Sequence, residues 1–468
     1  MSLTRRELIK HAGAMSLFGL GGSFSKLAQA AARLNPMPWR NWSGAQSCIP
    51  DLRSAPENEA MLADLIRKAN NTVRAVGSGH SFSALVPTDG TLVTLNNMSG
   101  LISADPQTLQ SEFWAGTTMT DMGDPLLKAG LALPNMSDID VQSLAGAIST
   151  STHGTGPKYG SYSTTVIGLR MITARGDIID LDKDHQPELF NAARVGLGAL
   201  GIITRVRLQN RKAFRLHQKQ WIQKTDELLE DMPRLIREND HFEMNPILHS
   251  DIALAQTQNE TTDPHTIAKT DTGDGDKVSK LRMVNTYARN YPEIQADLLN
   301  FIVKHIDFPD VQDQSFRVFA NIRDQRFNEM EYEIPAEHGP ACVREILKTV
   351  RERNLDSYIP LEYRYVKGDD IPLSMFNGRD TCAISVHQSY EQSYYQYFAQ
   401  IEPIFWKYEG RPHWGKLHTL NHNQFSRLYP QWKDFLDIRT ALDPNGKFLN
   451  GHLESAFGVR SQACKSRT

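Results

Sequence analysis

The chain has 468 residues, 40% of them hydrophobic and 22% charged, and its formal net charge at pH 7 is −3. This length favours two domains, and the lack of any Lys/Arg run argues against a nucleic-acid partner. The cysteines are too few for a disulfide framework and form no C-x-x-C pair, so neither a metal site nor a catalytic cysteine is predicted. They are Cys48, Cys342, Cys382 and Cys464. A single disulfide would require an oxidising compartment.

The first 30 residues have the pattern of an export signal. Residues 4–10 (TRRELIK) resemble the twin-arginine signature, the weakly apolar stretch 12–24 is too short to span a bilayer, and small residues at 28–30 offer a cleavage site. We expect a signal peptide over 1–30, read by the twin-arginine export machinery, and a periplasmic or extracellular mature protein. An uncleaved segment would leave the protein membrane-associated. The alternative, an amphipathic first helix of a cytosolic protein, is disfavoured by its several glycines.

The pattern over residues 37–210 predicts an α+β domain in which helices alternate with short strands. A helix is predicted at 54–71 with Pro56 in its first turn, followed by a strand at 72–76 and a tight turn at 77–81. The further predicted strands are 91–95, 111–115, 166–173, 177–181 and 202–208, and the further helices are 118–130, 143–150 and 187–195.

A second domain, the cap, is predicted over 211–410, where the sequence becomes richer in charge. Helices are predicted at 224–238 and 336–353, and the polar residues of 256–276 predict a loop. The predicted strands of this domain are 316–321, 328–333, 361–366 and 382–387. Residues 411–468 are predicted to return and contribute to the active site.

Two small-residue segments carry the chemistry of the first domain. In GSGHSFS (77–83) the glycines let backbone N–H groups approach a pyrophosphate; the alternative is a solvent-facing turn with a chance histidine. In SLAGAISTSTHGTG (143–156) small and hydroxyl side chains suit the wrapping of a dinucleotide; the alternative is a flexible linker. By contrast, GLGALG (196–201) follows a helix and leads into a strand, so it is not a Rossmann fingerprint.

Taken in order, these segments resemble the PCMH-type FAD domain of the vanillyl-alcohol-oxidase superfamily. They are most similar to its aldonolactone and alditol oxidase branch. The segments RFNEMEY (326–332), PHWGK (412–416) and DPNGKFLN (443–450) extend the resemblance over 37–457. It implies a two-subdomain FAD-binding domain followed by a cap domain with an antiparallel sheet flanked by helices.

The resemblance also implies which residues contact FAD. His80 would be attached covalently to a ring methyl of the flavin. The cofactor-binding residues it implies are Gly77, Ser78, Gly79, His80, Ser81, Phe82, Ser83, Asp138, Ser143, Gly146, Ser149, Thr150, Thr152, His153, Gly201 and Ile203. Asp138 stands where alditol oxidases carry a serine, which weakens an alditol assignment.

The implied catalytic group comes from the cap domain and the C-terminal return. Glu362 and Arg364 are two apart on a strand and share a face, and Lys416 would join them, placed by His413. The alternative for Glu362 and Arg364 is a buried ion pair. His387 would reach the same pocket, and its alternative is a satisfied core histidine.

Together these features predict oxidation of a CH–OH group of a sugar-1,4-lactone, of the D-arabinono- or L-gulonolactone type. Hydride would pass to FAD and then to oxygen, giving hydrogen peroxide, or to another electron acceptor. The alternatives are an alditol oxidase, a flavin-carrying protein without turnover, and a membrane-anchored dehydrogenase subunit. No permanent protein partner is predicted.

Overall fold

The computed structural model describes residues 37–269 and 275–461. The expected signal peptide and Cys464 lie outside the described residues. Within them the fold is the expected mixture of helices with antiparallel sheets, and the described helices include none long and apolar enough to cross a membrane.

The N-terminal part contains a small parallel sheet, in the order β3-β5-β4, and a five-stranded antiparallel sheet, in the order β10-β9-β11-β7-β6. Its strands are β1 (Trp39–Arg40), β2 (Ser47–Cys48), β3 (Leu52–Ser54), β4 (Val73–Val76), β5 (Thr91–Thr94), β6 (Leu101–Asp105), β7 (Gln110–Trp114), β8 (Leu131–Ala132), β9 (Val166–Ile172), β10 (Ile178–Asp182), β11 (Ile202–Gln209) and β12 (Arg211–Lys212). Its helices are α1 (Glu59–Lys68), α2 (Met119–Lys128), α3 (Leu144–Ser149) and α4 (Pro187–Arg194).

The prediction of a helix over 54–71 was too long. Residues 52–54 pair in parallel with β5 as strand β3, and α1 starts only after Asn58, whose side chain accepts a hydrogen bond from the amide of Met61 at 2.9 Å. Pro56 therefore lies in the connection before the helix. The side chain of Asn58 is a stronger start signal than the proline because it satisfies an otherwise unpaired amide.

The second part is built on one eight-stranded sheet, in the order β16-β13-β15-β14-β18-β19-β17-β20. Its strands are β13 (Arg215–Lys224), β14 (His241–Pro246), β15 (Ile252–Thr261), β16 (Val311–Gln314), β17 (Phe327–Pro335), β18 (Glu362–Val366), β19 (Thr381–Ser389) and β20 (Arg411–Pro412). Its helices, with those of the C-terminal segment, are α5 (Thr225–Glu238), α6 (Gly275–Ala288), α7 (Pro292–Lys304), α8 (Ser315–Phe319), α9 (Gly339–Glu352), α10 (Tyr395–Lys407), α11 (His422–Leu428), α12 (Trp432–Leu442) and α13 (Gly451–Phe457).

Two predictions for this part were wrong. Residues 315–319 form helix α8 rather than a strand, and the predicted loop at 256–276 begins inside strand β15. The polar side chains of that strand are buried against other polar groups. Gln256 accepts from Gln220 at 2.6 Å and donates to Glu243 at 3.0 Å, so a strand can carry them without unpaired amides.

The C-terminal segment ties the two parts together. β20 adds to the edge of the large sheet, where Arg411 pairs with Glu333. Further along, the carbonyl of Lys447 accepts from the amide of Val73 at 2.8 Å, and Asn450 donates to the carbonyl of Ala84 at 2.8 Å. Residues near the C-terminus are thus held against strand β4 and the turn that follows it.

Candidate active site

A cavity of about 840 Å³ lies between the N-terminal part and the large sheet. This volume is typical of cofactor and substrate sites. All the site residues proposed from the sequence line it except Ser83. The hydroxyl of Ser83 instead donates to the carbonyl of Trp414 at 2.6 Å, so this side chain holds the C-terminal segment in place.

The turn after β4 favours glycine at positions 77 and 79 for two different reasons. A Cβ atom on Gly77 would lie 1.9 Å from Oγ of Ser143, and Gly79 has a φ of +72°, which favours glycine. The backbone of this turn therefore packs closely on the start of helix α3. Its amides border the cavity without intervening side chains, as an anion-binding nest requires.

We expect Gly77→Ala to abolish FAD retention, because the added methyl collides with Ser143 and displaces the turn. The measurement is the flavin absorbance of the purified protein. Gly77→Ala combined with Ser143→Gly should restore much of the flavin, since the blocking side chain is gone. Gly451→Ala is the control, because a Cβ there meets nothing within 4 Å. A flavin-replete Gly77→Ala protein would contradict the close packing.

The segment after helix α3 is buried as its small side chains predicted. Thr150, Thr152 and His153 are each at most 7% exposed and line the cavity. Ser151 has a φ of 59°, a strained value for a residue with a side chain, and its hydroxyl contacts that of Ser374 at 3.3 Å. Such ordered burial contradicts the flexible-linker alternative.

GLGALG at 196–201 follows helix α4 and precedes strand β11, as the sequence indicated, so it is not a Rossmann fingerprint. The loop nevertheless borders the cavity. Arg74 fixes it by donating to the carbonyls of Leu197 and Gly198 at 2.9 and 3.0 Å. Burial lowers the pKa of Arg74 to about 10, which still leaves it charged at neutral pH.

His80 lies on the cavity wall with its ring stacked on Trp42, at a centroid separation of 5.2 Å and an interplanar angle of 23°. Burial, together with the charge of Lys416, lowers the pKa of His80 to about 4. The imidazole is therefore neutral at physiological pH, with a ring nitrogen lone pair available for bonding.

Arg364 is at the centre of one charged group. Its guanidinium lies 2.9 Å from Glu362, 3.0 Å from Glu243 and 3.4 Å from Asp138. Arg323 also contacts both Asp138 and Glu362. Glu362 and Arg364 form the ion pair of the alternative interpretation and both also border the cavity, so their functional role stays a prediction.

The pKa values of two acids of this group, Asp138 and Glu362, are shifted in opposite directions. Burial acts to raise the pKa of Asp138, but the charges of Arg364 and Arg323 lower it overall. Burial raises the pKa of Glu362, and the negative charge of Asp138 adds to that rise. Asp138 is therefore the more firmly ionised of the two carboxyls.

Lys416 is at the centre of a second charged group. Its ammonium pairs with Glu329 and lies 3.4 Å from Glu331 and 5.2 Å from the centroid of the Phe82 ring. Burial acts to lower the pKa of Lys416, but the charges of Glu329 and Glu331 raise it overall. A permanent positive charge thus faces the cavity.

Backbone contacts define what each histidine of the site can do. His413 accepts the amide proton of Gly415 on Nδ1, so its neutral ring carries a proton on Nε2. Nδ1 of His387 lies 3.1 Å from the carbonyl of Pro360, and Nδ1 of His153 lies 2.8 Å from that of Gly154. A carbonyl only accepts, so both donate through Nδ1, and Nε2 is the nitrogen left to exchange protons.

Two clusters of His and Glu side chains are close enough to hold a metal ion, but their chemistry does not suit one. In the first, both nitrogens of His413 are occupied, one by the Gly415 amide and one by its own proton. In the second, Glu329 and Glu362 are already paired with Lys416 and Arg364. In this second cluster, the positive charges of Lys416 and Arg364 therefore take the place that a metal ion would need.

Sequence reasoning missed several residues of the cavity wall. Glu329 and Glu331 stand two apart in the RFNEMEY segment, and that spacing on a strand was a usable signal. Arg323 and Trp42 lie in segments with no motif, and only the fold brings them to the site.

Two family models and several known proteins match this chain. Residues 206–456 match the family model for D-arabinono-1,4-lactone oxidase, and residues 50–182 match that for an FAD binding domain. An L-gulono-1,4-lactone dehydrogenase of Mycobacterium tuberculosis is 35% identical over 426 residues, covering 90% of this chain and 99% of the relative. The L-gulonolactone oxidase of Bos taurus is 29% identical, covering 90% and 98%.

Solved structures agree on the fold. A solvent-stable cholesterol oxidase superposes with a TM-score of 0.74 at 18% identity, covering 90% of this chain and 97% of that one. A cholesterol oxidase from Brevibacterium sterolicum gives 0.72 at 15% identity, covering 90% and 96%. The cavity volume, the glycine turn at 77–81 and the buried segment at 150–153 all fit FAD.

Proposed function

The chain belongs to the D-arabinono-1,4-lactone oxidase family, and from that premise we propose that it oxidises a CH–OH group of a sugar-1,4-lactone with FAD. The observation that carries the proposal is the convergence of two groups on one cavity. The glycine turn and helix α3 border it on one side, and Arg364 and Lys416 with their carboxylates border it on the other. Membership of an oxidase family excludes a flavin carrier without turnover.

The side chains of the cavity suit a hydroxylated substrate. FAD, when bound, supplies the hydride acceptor. Arg364 and Lys416 offer N–H donors that bind hydroxyl oxygens and stabilise the negative charge that builds up as the O–H proton leaves. The carboxylates of Glu329 and Glu331 line the same cavity and can accept that proton, and Nε2 of His387 lies 3.6 Å from Glu329.

The test is reduction of the bound flavin under anaerobic conditions by a panel of substrates. D-arabinono-, L-gulono- and L-galactono-1,4-lactone are expected to bleach the flavin, whereas xylitol and sorbitol are expected to be far slower. Asp138 in place of the serine of alditol oxidases supports this order. A panel in which only the alditols react would replace the lactone assignment by the alditol one.

The final electron acceptor is proposed to be oxygen, with hydrogen peroxide as product. The bovine relative carries the name of an oxidase and the mycobacterial relative that of a dehydrogenase, so the family contains both. Stoichiometric peroxide after lactone addition in air would support oxygen. Fast reoxidation by a quinone or cytochrome with negligible peroxide would favour a dehydrogenase.

We further propose that His80 carries the flavin covalently. Its neutral imidazole on the cavity wall supports this role. After acid precipitation the wild-type pellet should remain yellow, whereas His80→Ala should release all its flavin to the supernatant. His338→Ala, which lies away from the cavity, should behave like wild type. A colourless wild-type pellet would exclude the bond.

Export by the twin-arginine route remains a proposal based on residues 4–30. Replacement of both Arg5 and Arg6 by lysine should leave an active, flavin-loaded protein in the cytoplasm. The mature periplasmic protein should begin after residue 30 by N-terminal sequencing. An intact N-terminus in a membrane fraction would instead support an anchored form.

A further inference from the structure

Three glutamates of strand β17 form a ladder that starts at the cavity wall. Glu329, Glu331 and Glu333 alternate along the strand, so they share one face, and none is more than 4% exposed. Glu329 and Glu331 line the cavity, but Glu333 does not. The ladder therefore leads away from the cavity into the protein interior.

The first two glutamates have partners. Glu329 pairs with Lys416. One oxygen of Glu331 lies 2.7 Å from Nε2 of His153, and the other accepts from Ser385 at 2.7 Å. Burial acts to raise the pKa of Glu331, but Lys416 and His153 hold it well below the usual range. Glu331 is thus an ionised base at the cavity wall.

Glu333 is different, because neither of its carboxyl oxygens has a hydrogen-bond partner among the described residues. One of them lies 3.7 Å from Nε2 of His153. An ionised carboxylate without partners is strongly unfavourable in the interior, so the group keeps its proton. Burial and the charge of Glu331 raise the pKa of Glu333 well above the usual range.

The proposed reaction frees a proton in this closed site. Oxidation of the carbinol breaks a C–H bond, whose hydride carries two electrons to the flavin, and an O–H bond, whose proton the protein must take up. Glu331 can accept that proton, but it must lose it again before the next turnover. Lys416 and Ser385 are donors to Glu331 and cannot take its proton, whereas Glu333 on the His153 side is a carboxyl group that can exchange one.

We propose that Glu333 relays the substrate proton away from the Glu331–His153 pair. The hydroxyl proton moves to Glu331; Glu333 gives up its own proton to solvent on the side remote from the cavity and takes up the one from Glu331. Each turnover then ends with Glu331 ionised and Glu333 protonated, as it began. Glu333 acts through Glu331, so it is a positioning residue, and the inference rests on the oxidation proposed above.

The surroundings of Glu333 include a hydroxyl without a partner and a backbone link to the surface. The hydroxyl of Tyr429 is buried, has no hydrogen-bond partner among the described residues and lies close enough to Glu333 to interact with it electrostatically. Arg379 donates to the carbonyls of Glu333 and Glu409 at 3.1 and 2.8 Å, and Glu409 is exposed. The buried thiol of Cys382 also interacts with Glu333. Burial raises the pKa of this thiol to about 12, so Cys382 stays neutral.

The experiment compares two signals from FAD-loaded protein mixed anaerobically with a lactone in weakly buffered solution. Flavin bleaching reports hydride transfer, and a pH-indicator dye reports the proton that reaches bulk solvent. Wild type should release one proton in step with bleaching. In Glu333→Gln, which stays uncharged but cannot relay, release should lag bleaching by about tenfold. Release in step with bleaching in this variant would overturn the proposal.

Two further variants separate a relay from a structural role. Glu333→Met removes a buried acid that accepts no hydrogen bond, so the Tm of this variant should equal or exceed that of wild type. The lag between flavin bleaching and proton release should remain. Glu402→Gln is the matched control, since Glu402 is 2% exposed but fully hydrogen-bonded to Tyr332 and Thr419 and is not part of the cavity wall. The Glu402→Gln protein should release the substrate proton in step with flavin bleaching.

A last measurement does not depend on turnover. Infrared difference spectra on chemical reduction of the flavin should contain a neutral-carboxyl C=O band that is missing in Glu333→Gln; an identical band in both proteins would refute a protonated Glu333. If no lactone bleaches the wild-type flavin, the proposed function fails, while this spectrum still decides on Glu333.

Discussion

Replacing Lys416 by methionine is expected to lower the rate constant of flavin reduction by a lactone roughly 100- to 1,000-fold. The ammonium is the positive charge that keeps Glu329 and Glu331 ionised at the cavity wall. Without it, the substrate hydroxyl loses a hydrogen-bond donor, and the negative charge that builds up on its oxygen loses a stabilising positive charge. The measurement is stopped-flow bleaching under anaerobic conditions, with flavin content determined on the same sample.

Lys433→Met is the control for this substitution. Its ammonium is 84% exposed and pairs only with Asp437 on the same helix, so loss of the charge should leave the rate unchanged. A Lys416→Met protein that retains FAD and is reduced within about twofold of the wild-type rate would remove the lysine from the proposed mechanism.

Replacing Arg364 by methionine is expected to lower the free energy of unfolding by about 3–5 kcal/mol, besides abolishing turnover. The guanidinium is buried among Asp138, Glu243 and Glu362, and its removal leaves these carboxylates facing one another with too little positive charge. Urea denaturation of the FAD-loaded proteins gives the difference.

Adding Glu362→Gln to Arg364→Met should recover part of that stability, because one of the uncompensated charges is then gone. Arg344→Met is the comparison for an ordinary surface pair. Arg344 contacts Asp226 at 2.8 Å with the carboxylate 76% exposed, so the expected loss is under about 1 kcal/mol. Equal losses at Arg344 and Arg364 would show that the buried group does not stabilise the fold.

The sequence predicted the structure best where the pattern of a few neighbouring residues was enough. The glycine turn at 77–81 and the segment around His153 were recognised from small residues, because a close backbone approach permits few other side chains. The sequence predicts a strand where helix α8 lies, because a five-residue helix has too few residues to show a helical period. The polar strand β15 was read partly as a loop because its glutamines are satisfied by partners that are distant in sequence.

The charged side of the cavity was predicted less completely than the glycine turn and the segment around His153. The spacing of Glu362 and Arg364 on one strand predicted a shared face and the resemblance implied their role, but their partners Arg323 and Glu243 come from other segments that only tertiary packing brings together. Ser83 shows the reverse case, a residue inside the recognised motif whose side chain turns away from the cavity toward Trp414.

The place of the C-terminal segment has a consequence for biosynthesis. His413 and Lys416 reach the cavity from a segment that is synthesised after strands β1 to β19, and the contacts of Lys447 and Asn450 with the glycine-turn region form later still. A nascent polypeptide that has not yet reached Asn450 therefore lacks part of the cavity wall and the contacts that hold it. Assembly of the complete site has to await synthesis of this segment.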